Sequence, residues 1–182
     1  MVGGVYFLRC RSANNPGNFM HSSARSIKHG SFVIERRLDY NPELVYRAWT
    51  QGDAKARWFN GPPDKWTETR REMNVCVGGR DLLIGTFADG SESRFESQYL
   101  DVVPEKRLLY VYDMYWQGKK ISVTLASIEF VAAGKGTKLL VTEQLAFLDG
   151  FEDAGSRERG TQQLMDNLEL ALAGGDTRKS LA

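Results

Sequence analysis

The chain is 182 residues long, 42% apolar and 26% charged, with a formal net charge of +1. That length fits one domain with a sizeable core, which at this size buries roughly 70% of its unfolded surface. Residues 1–34 hold Arg9, Arg11, Arg25 and Lys28 and no acid, leaving a body of 20 bases against 23 acids, net −3. Such a body lacks the clustered Lys and Arg that grip a phosphate backbone, so no nucleic-acid partner is expected.

Cys10 and Cys76 stand apart, without CxxC spacing. Two lone thiols suit a reduced, cytoplasmic protein better than a disulfide framework. No apolar run approaches the ~20 residues that would span a bilayer. Near the start, Val5-Tyr6-Phe7-Leu8 is too short for a secretory core, and no positive segment precedes it. The acid-poor stretch 9–26 shares its Arg and Ser content with mitochondrial transit peptides. The plainer reading makes residues 1–30 a disordered tail, with Met20 as the working start.

The ordered domain is predicted to begin near Ser31. Phe32, Ile34 and Leu38 share one face of a β-rich run. Asn41-Pro42-Glu43 then reads as a helix start: N-cap, proline in the first turn, acid beside it. Val45, Ala48 and Trp49 follow at helical spacing and should face the core. Asp53 is expected to cap a second short helix ending at Trp58-Phe59, before Gly61-Pro62-Pro63.

From Trp66 to Phe147 the pattern changes to period two. Turn signals at Gly78-Gly79, Asp89-Gly90, Pro104-Glu105, Gln117-Gly118 and Gly134-Lys135-Gly136 separate the apolar runs. Such short connections predict antiparallel hairpins and, with the first run, about seven strands. No βαβ alternation appears, which argues against a parallel nucleotide-binding sheet. A long helix from Asp153 to Ala173 is predicted last, with Leu164, Met165, Leu168, Ala171 and Leu172 as its apolar stripe and Gly174-Gly175 as its stop. Gly160 inside it implies a bend, a close approach or a later helix start. Residues 176–182 read as a frayed tail. The fold class is therefore α+β, one domain over 31–175, a sheet wrapped around a helix. The surplus sheet width becomes either a core of large side chains or a pocket.

That order of elements, together with Gly78-Gly79-Arg80, Val102-Val103-Pro104-Glu105-Lys106-Arg107-Leu108 and Gly136-Thr137-Lys138-Leu139, resembles the START-like (SRPBCC, helix-grip) superfamily. Within it, the chain looks like the bacterial branch related to the C-terminal domain of the activator of heat-shock protein 90 ATPase. The resemblance covers about residues 31–173. Tyr112-Asp113-Met114, Thr142-Glu143-Gln144 and Asp153-Ala154-Gly155-Ser156-Arg157-Glu158 resemble one subgroup of that branch. Many members carry Gly-Trp at the start of the last helix, whereas Gly160 here precedes Thr161. The resemblance implies a cavity for hydrophobic or amphipathic molecules, in a superfamily of lipid carriers, hormone receptors, cyclases and co-chaperones.

Several chemistries are absent from the residues. The histidines are His21 and His29, both ahead of the predicted domain, which excludes a Ser-His-Asp or Cys-His system and an HExxH zinc site within it. No phosphate-binding G-x-x-x-x-G-K-[ST] occurs. No metal or nucleotide cofactor is expected.

What remains is polar groups on strands. Glu143 shares the more apolar face of its run with Leu139, Val141, Leu145 and Phe147, so it is a candidate inward carboxylate. Burial would raise its pKa toward general acid–base use, whereas pairing with Arg70 or Arg80 would make it structural. Tyr110, Tyr112 and Met114 are expected to line the cavity with Asp113 outside, unless the register is reversed. Arg70 is the candidate cavity charge of the heavily charged run 66–73, and Leu164 and Leu168 the candidate helix contacts. Trp49 and Trp58 read as core anchors. The charged run Asp149 to Arg159 is a solvated loop or a gate beside the cavity.

The expected function is a binding protein for a small hydrophobic or amphipathic ligand. The alternatives are a module acting on a heat-shock protein 90 type chaperone, or a cyclase- or hydrolase-like enzyme using Glu143. Exposed sheet edges permit a homodimer.

Overall fold

The computed structural model describes residues 25–151 and 153–175. The readings of a tail over the first residues, of Met20 as start and of a frayed end at 176–182 lie largely or wholly outside the described residues. The chain runs β1 (Ile27–Leu38), α1 (Pro42–Thr50), α2 (Gly52–Lys55), β2 (Trp66–Met73), β3 (Arg80–Phe87), β4 (Glu92–Val103), β5 (Arg107–Trp116), β6 (Lys119–Ala133), β7 (Gly136–Leu148) and α3 (Ala154–Leu172). The seven strands form one antiparallel sheet in the order β1-β7-β6-β5-β4-β3-β2. Each predicted turn joins two consecutive strands. Left-handed backbone at Gln117 and Gly118 (φ 51° and 73°) closes the tight β5–β6 hairpin.

β1 starts four residues before the expected Ser31. Ile27 is exposed, so burial does not explain the extension; the backbone ladder does, pairing Ile27 with Leu148 and running unbroken to Leu38 opposite Thr137. α1 begins as its sequence dictates, the Asn41 side chain accepting from the Leu44 amide at 2.9 Å. Val45, Ala48 and Trp49 are buried. α2 differs from expectation. It starts at Gly52, its cap is Gln51 without a side-chain bond, and Asp53 lies in its first turn rather than at the cap.

Trp66 opens β2, and two glycines make room for its indole. A Cβ on Gly85 would sit 2.0 Å from that ring, and one on Gly61 would sit 2.4 Å from it. The indole N–H donates to Ser93 Oγ at 2.9 Å. Further along β2 the pairing slips between Glu68 and Arg70. Such a bulge exchanges the faces of everything after it.

α3 crosses the inner face of the sheet. Thr161, Met165 and Leu168 are its buried residues, flanked by half-buried Leu164, Ala171 and Leu172. A Cβ on Gly160 would meet nothing within 4 Å, so close approach does not account for that glycine. Large side chains fill the space between sheet and helices: Trp49, Trp58, Phe95, Tyr99, Tyr110, Tyr112 and Phe130 join Ile128, Leu139 and Leu168 in one core. Ring pairs bind this helical segment to the sheet, Trp49 of α1 to Phe130 of β6 at 6.4 Å and Phe59, after α2, to Phe95 of β4 at 5.2 Å.

Candidate functional site

Two buried polar clusters interrupt this aromatic core. The first lies where the early turns of α3 cover β5, β6 and β7. Glu143 is 5% exposed, as its place among Leu139, Val141, Leu145 and Phe147 foretells. The Tyr112 hydroxyl donates to Glu143 Oε2 at 2.6 Å, and the Thr161 hydroxyl lies 3.2 Å from Oε1. Arg157 Nη1 donates to the Tyr112 oxygen at 3.1 Å, and Nη2 to Ser122 Oγ at 3.1 Å. The guanidinium also stands about 6 Å from the ring centres of Tyr112 and Phe147.

The second cluster lies under α2. Lys55 and Asp81 are both buried, with Nζ 2.7 Å from Oδ2. The Tyr99 hydroxyl donates to the same Oδ2 at 2.7 Å, and the Asn74 amide donates to Oδ1 at 3.3 Å. Beside them is a cavity of about 10 Å³, lined in part by Phe59, Arg71 and Phe95, with room for one water at most. Tyr110 spans the gap between the clusters, its ring 5.6 Å from Tyr99 and 6.1 Å from Tyr112.

Burial governs the protonation of these groups. It pushes the Glu143 carboxyl up, against the pull of the Tyr112 bond, Arg157 and Thr161. It holds Tyr112 protonated well past its ordinary value, with Glu143 adding to the effect, so Tyr112 is a donor throughout the physiological range. It pushes Lys55 down, while Asp81 pushes back. Tyr99 is raised by burial first and Asp81 second.

The structure gathers most of the sequence-predicted residues. Tyr110, Tyr112, Glu143, Phe147 and Leu168 are buried on the inner face, and Met114 and Leu164 pack at its margin. Asp113 is on the other face, paired with Lys120. Arg70 is elsewhere. Strict alternation from Trp66 would carry it inward, but the bulge turns it to the surface, where it pairs with Glu72. Arg71 takes the inward place instead, bonding the Phe59 carbonyl and Asn60 Oδ1, each at 2.8 Å. Glu143 therefore pairs with neither Arg70 nor Arg80. Its neighbours come from β5 and α3.

Sequence reasoning missed Arg157 as a site residue, although it lies in the singled-out run Asp153–Glu158. The overlooked signal was helical spacing, since Arg157, Thr161, Leu164, Met165 and Leu168 continue one stripe toward the N-terminus. It also missed Lys55 and Asp81, which carried no pattern at all. Thr161, which stands where the resemblance leads one to look for tryptophan, supplies a small hydroxyl to the carboxylate.

A bent antiparallel sheet gripping one long terminal helix, with two short helices after the first strand, defines a START-like protein. The chain belongs to the family described as activator of Hsp90 ATPase homolog 1-like protein, whose model matches residues 39–173. An uncharacterised protein from Rhizobium leguminosarum is 36% identical over 83% of this chain and 99% of its own, with a TM-score of 0.79. Protein Mll3558 from Rhizobium loti is 31% identical over 80% and 99%, with a TM-score of 0.74. An AHSA1-like protein from Aeromonas hydrophila, 24% identical over 80% and 93% with a TM-score of 0.63, shares the fold. No curated protein matches the chain. No helix among the described residues is long and apolar enough to cross a membrane.

Proposed function

We propose that this protein binds a small amphipathic molecule between the inner face of the sheet and the first half of α3. The observation that carries the reading is the uneven hold on α3. Met165 and Leu168 anchor its second half in the core, whereas between Ala154 and Thr161 it reaches the sheet through hydrogen bonds from Arg157 and Thr161. Apolar anchoring is costly to undo; hydrogen bonds that water or a ligand can replace are not. The first half of α3 therefore serves as the cover, and Asp149-Gly150, both in left-handed backbone, as the hinge. The filled interior requires such a movement before a guest enters.

An enzyme built on Glu143 is less well supported. Both oxygens of that carboxylate already face protein hydroxyls, which leaves it poorly placed to take a proton from a substrate. A chaperone-directed role rests on the family description alone.

The test is native mass spectrometry of the purified full chain beside a Thr161→Trp variant. A co-purifying small molecule that disappears when the indole fills its place supports the reading. A bare wild-type protein from every preparation ends it.

A further inference from the structure

One seat on the inner face already holds a cation, and the chain itself supplies it. Arg157, half-buried on the first half of α3, lays its guanidinium 5.9 Å from the ring centre of Tyr112 and 6.0 Å from that of Phe147. Aromatic rings attract a positive group, and do so more strongly where water is excluded. The two hydrogen bonds from this guanidinium end on neutral oxygens, Nη1 on the Tyr112 hydroxyl and Nη2 on Ser122 Oγ, each at 3.1 Å. Tyr112 passes its own proton to Glu143, which makes the phenol oxygen a better acceptor. Burial raises the Glu143 carboxyl, and the Arg157 charge, acting from across the phenol, opposes that rise.

The sheet builds every part of this seat except the cation. Ser122 lies directly opposite Phe147 on one side and Met114 on the other, and Met114 is in turn opposite Phe95. Directly opposed residues share a face, so Phe147, Ser122, Met114 and Phe95 make one row on the inner face. When the first half of α3 lifts, as binding requires, Arg157 leaves with it. Glu143, lodged among buried Leu139, Val141, Leu145 and Phe147, then loses the positive charge that acts on it. A carboxylate in such surroundings without its countercharge is unfavourable. A guest with a positive end restores that charge, a neutral guest does not, and an anionic guest adds repulsion.

We infer that Arg157 occupies the seat of the ligand's head group and that this head group is a protonated amine, held between the Tyr112 and Phe147 rings, with the ligand's apolar body against Met114 and Phe95. A primary ammonium has three donors, enough for the Tyr112 and Ser122 oxygens together. The inference rests on the binding reading above and adds the ligand's chemical class. Arg157 is in it a competitor rather than a contact. It pins the cover and fills the seat until an amine displaces it.

The test titrates the full protein with decylamine, decan-1-ol and decanoate, each dissolved as monomer at neutral pH and followed by calorimetry. A cation between two rings and near a carboxylate predicts decylamine binding at least about tenfold more tightly than decan-1-ol, with decanoate weakest. Glu143→Gln should remove most of that preference. Arg157→Gln separates a competitor from a contact. It should tighten decylamine several-fold and leave the ratio of decylamine to decan-1-ol unchanged, because both guests then enter a seat that no guanidinium holds. Arg157→Lys keeps a cation there and should bind decylamine much as the wild type does. Equal affinity for decylamine and decan-1-ol, or tighter binding of decanoate, overturns the amine while leaving a binding protein. Weaker decylamine binding by Arg157→Gln shows that Arg157 touches the guest, and overturns its place as the occupant. Failure of all three probes to bind overturns the inference, and with a bare protein in the mass spectrometer the binding reading falls as well.

Discussion

The Tyr112 hydroxyl reaches Glu143 Oε2 at 2.6 Å although their strands are not neighbours, since β6 lies between β5 and β7. The bond passes over β6 on the inner face, above Ala126, which pairs with both Tyr110 and Glu143. A small residue at that point leaves room for a phenol and a carboxylate to meet. Cross-sheet polar contact of this kind is held by the fold as a whole, so its titration reports on folding.

Burial raises the carboxyl of Glu143 in the folded protein above its ordinary value near 4.5. The folded state then holds this proton more tightly than the unfolded state does. The stabilising contribution is complete below about pH 4.5 and is lost as pH rises through the folded value. Glu143→Gln keeps the shape, cannot ionise, and should show none of that loss. Melting curves of the two proteins from about pH 4 to about pH 8 should diverge, the variant gaining on the wild type as pH rises. Parallel curves would show that burial is not what governs this group.

Lys55 and Asp81 should behave oppositely as singles and as a pair. Removing either partner leaves an uncompensated charge in the core, which costs about 3–5 kcal/mol. Lys55→Met and Asp81→Leu should therefore each destabilise by that order in urea unfolding, Asp81→Leu also freeing the Tyr99 hydroxyl. The double replacement removes both charges, and its cost should fall well below the sum of the two. Additive losses would mean that the two groups are not coupled.

Much of this architecture was legible because local and long-range signals agree. Asn41-Pro42 starts α1, five turn signals become five hairpins, and alternation in 139–147 puts Glu143 inside. What was not legible came from relations between distant residues. The four extra residues of β1 depend on the length of β7, which their own side chains do not encode. The choice of Arg71 over Arg70 depends on one bulge in an edge strand, and a charged run offers no apolar alternation to betray it. Lys55 and Asp81 meet across 26 positions in sequence, and a single lysine in a short helix carries no sign that it will be buried.

The bulge makes a direct prediction. Arg70→Ala removes an exposed ion pair and should change stability by no more than about 0.5 kcal/mol. Arg71→Ala strips hydrogen bonds from the Phe59 carbonyl and from Asn60, which tie the α2 exit to β2. Its loss should be about 1–3 kcal/mol. Equal effects in chemical denaturation would show that β2 keeps strict alternation in solution.

Gly85 offers a steric test of the sheet's far edge. A methyl group there would fall 2.0 Å from the Trp66 indole, too close for any real contact, so Gly85→Ala must displace the ring. Displacement also breaks the bond from the indole N–H to Ser93 Oγ. Overpacking of this kind costs about 1–3 kcal/mol. It should come with a red shift of tryptophan emission as Trp66 enters water, whereas an unshifted spectrum would mean that β3 yields and the ring stays.

The two halves of α3 should differ in how readily they open. Its amides share one helical ladder, so a difference in exchange must come from what each half packs against. Met165 and Leu168 are 1% and 0% exposed and must be pulled from the core before their turns unwind. Arg157 and Thr161 need only trade bonds to Tyr112, Ser122 and Glu143 for bonds to water. Hydrogen exchange should therefore be at least about tenfold faster for amides 158–162 than for amides 165–169, a gap that one or two lost hydrogen bonds account for. Arg157→Ala should speed the first set further and leave the second unchanged. Uniform protection along the helix, indifferent to Arg157, would mean that α3 opens as one rigid rod, and then a cover made from its first half has no physical basis.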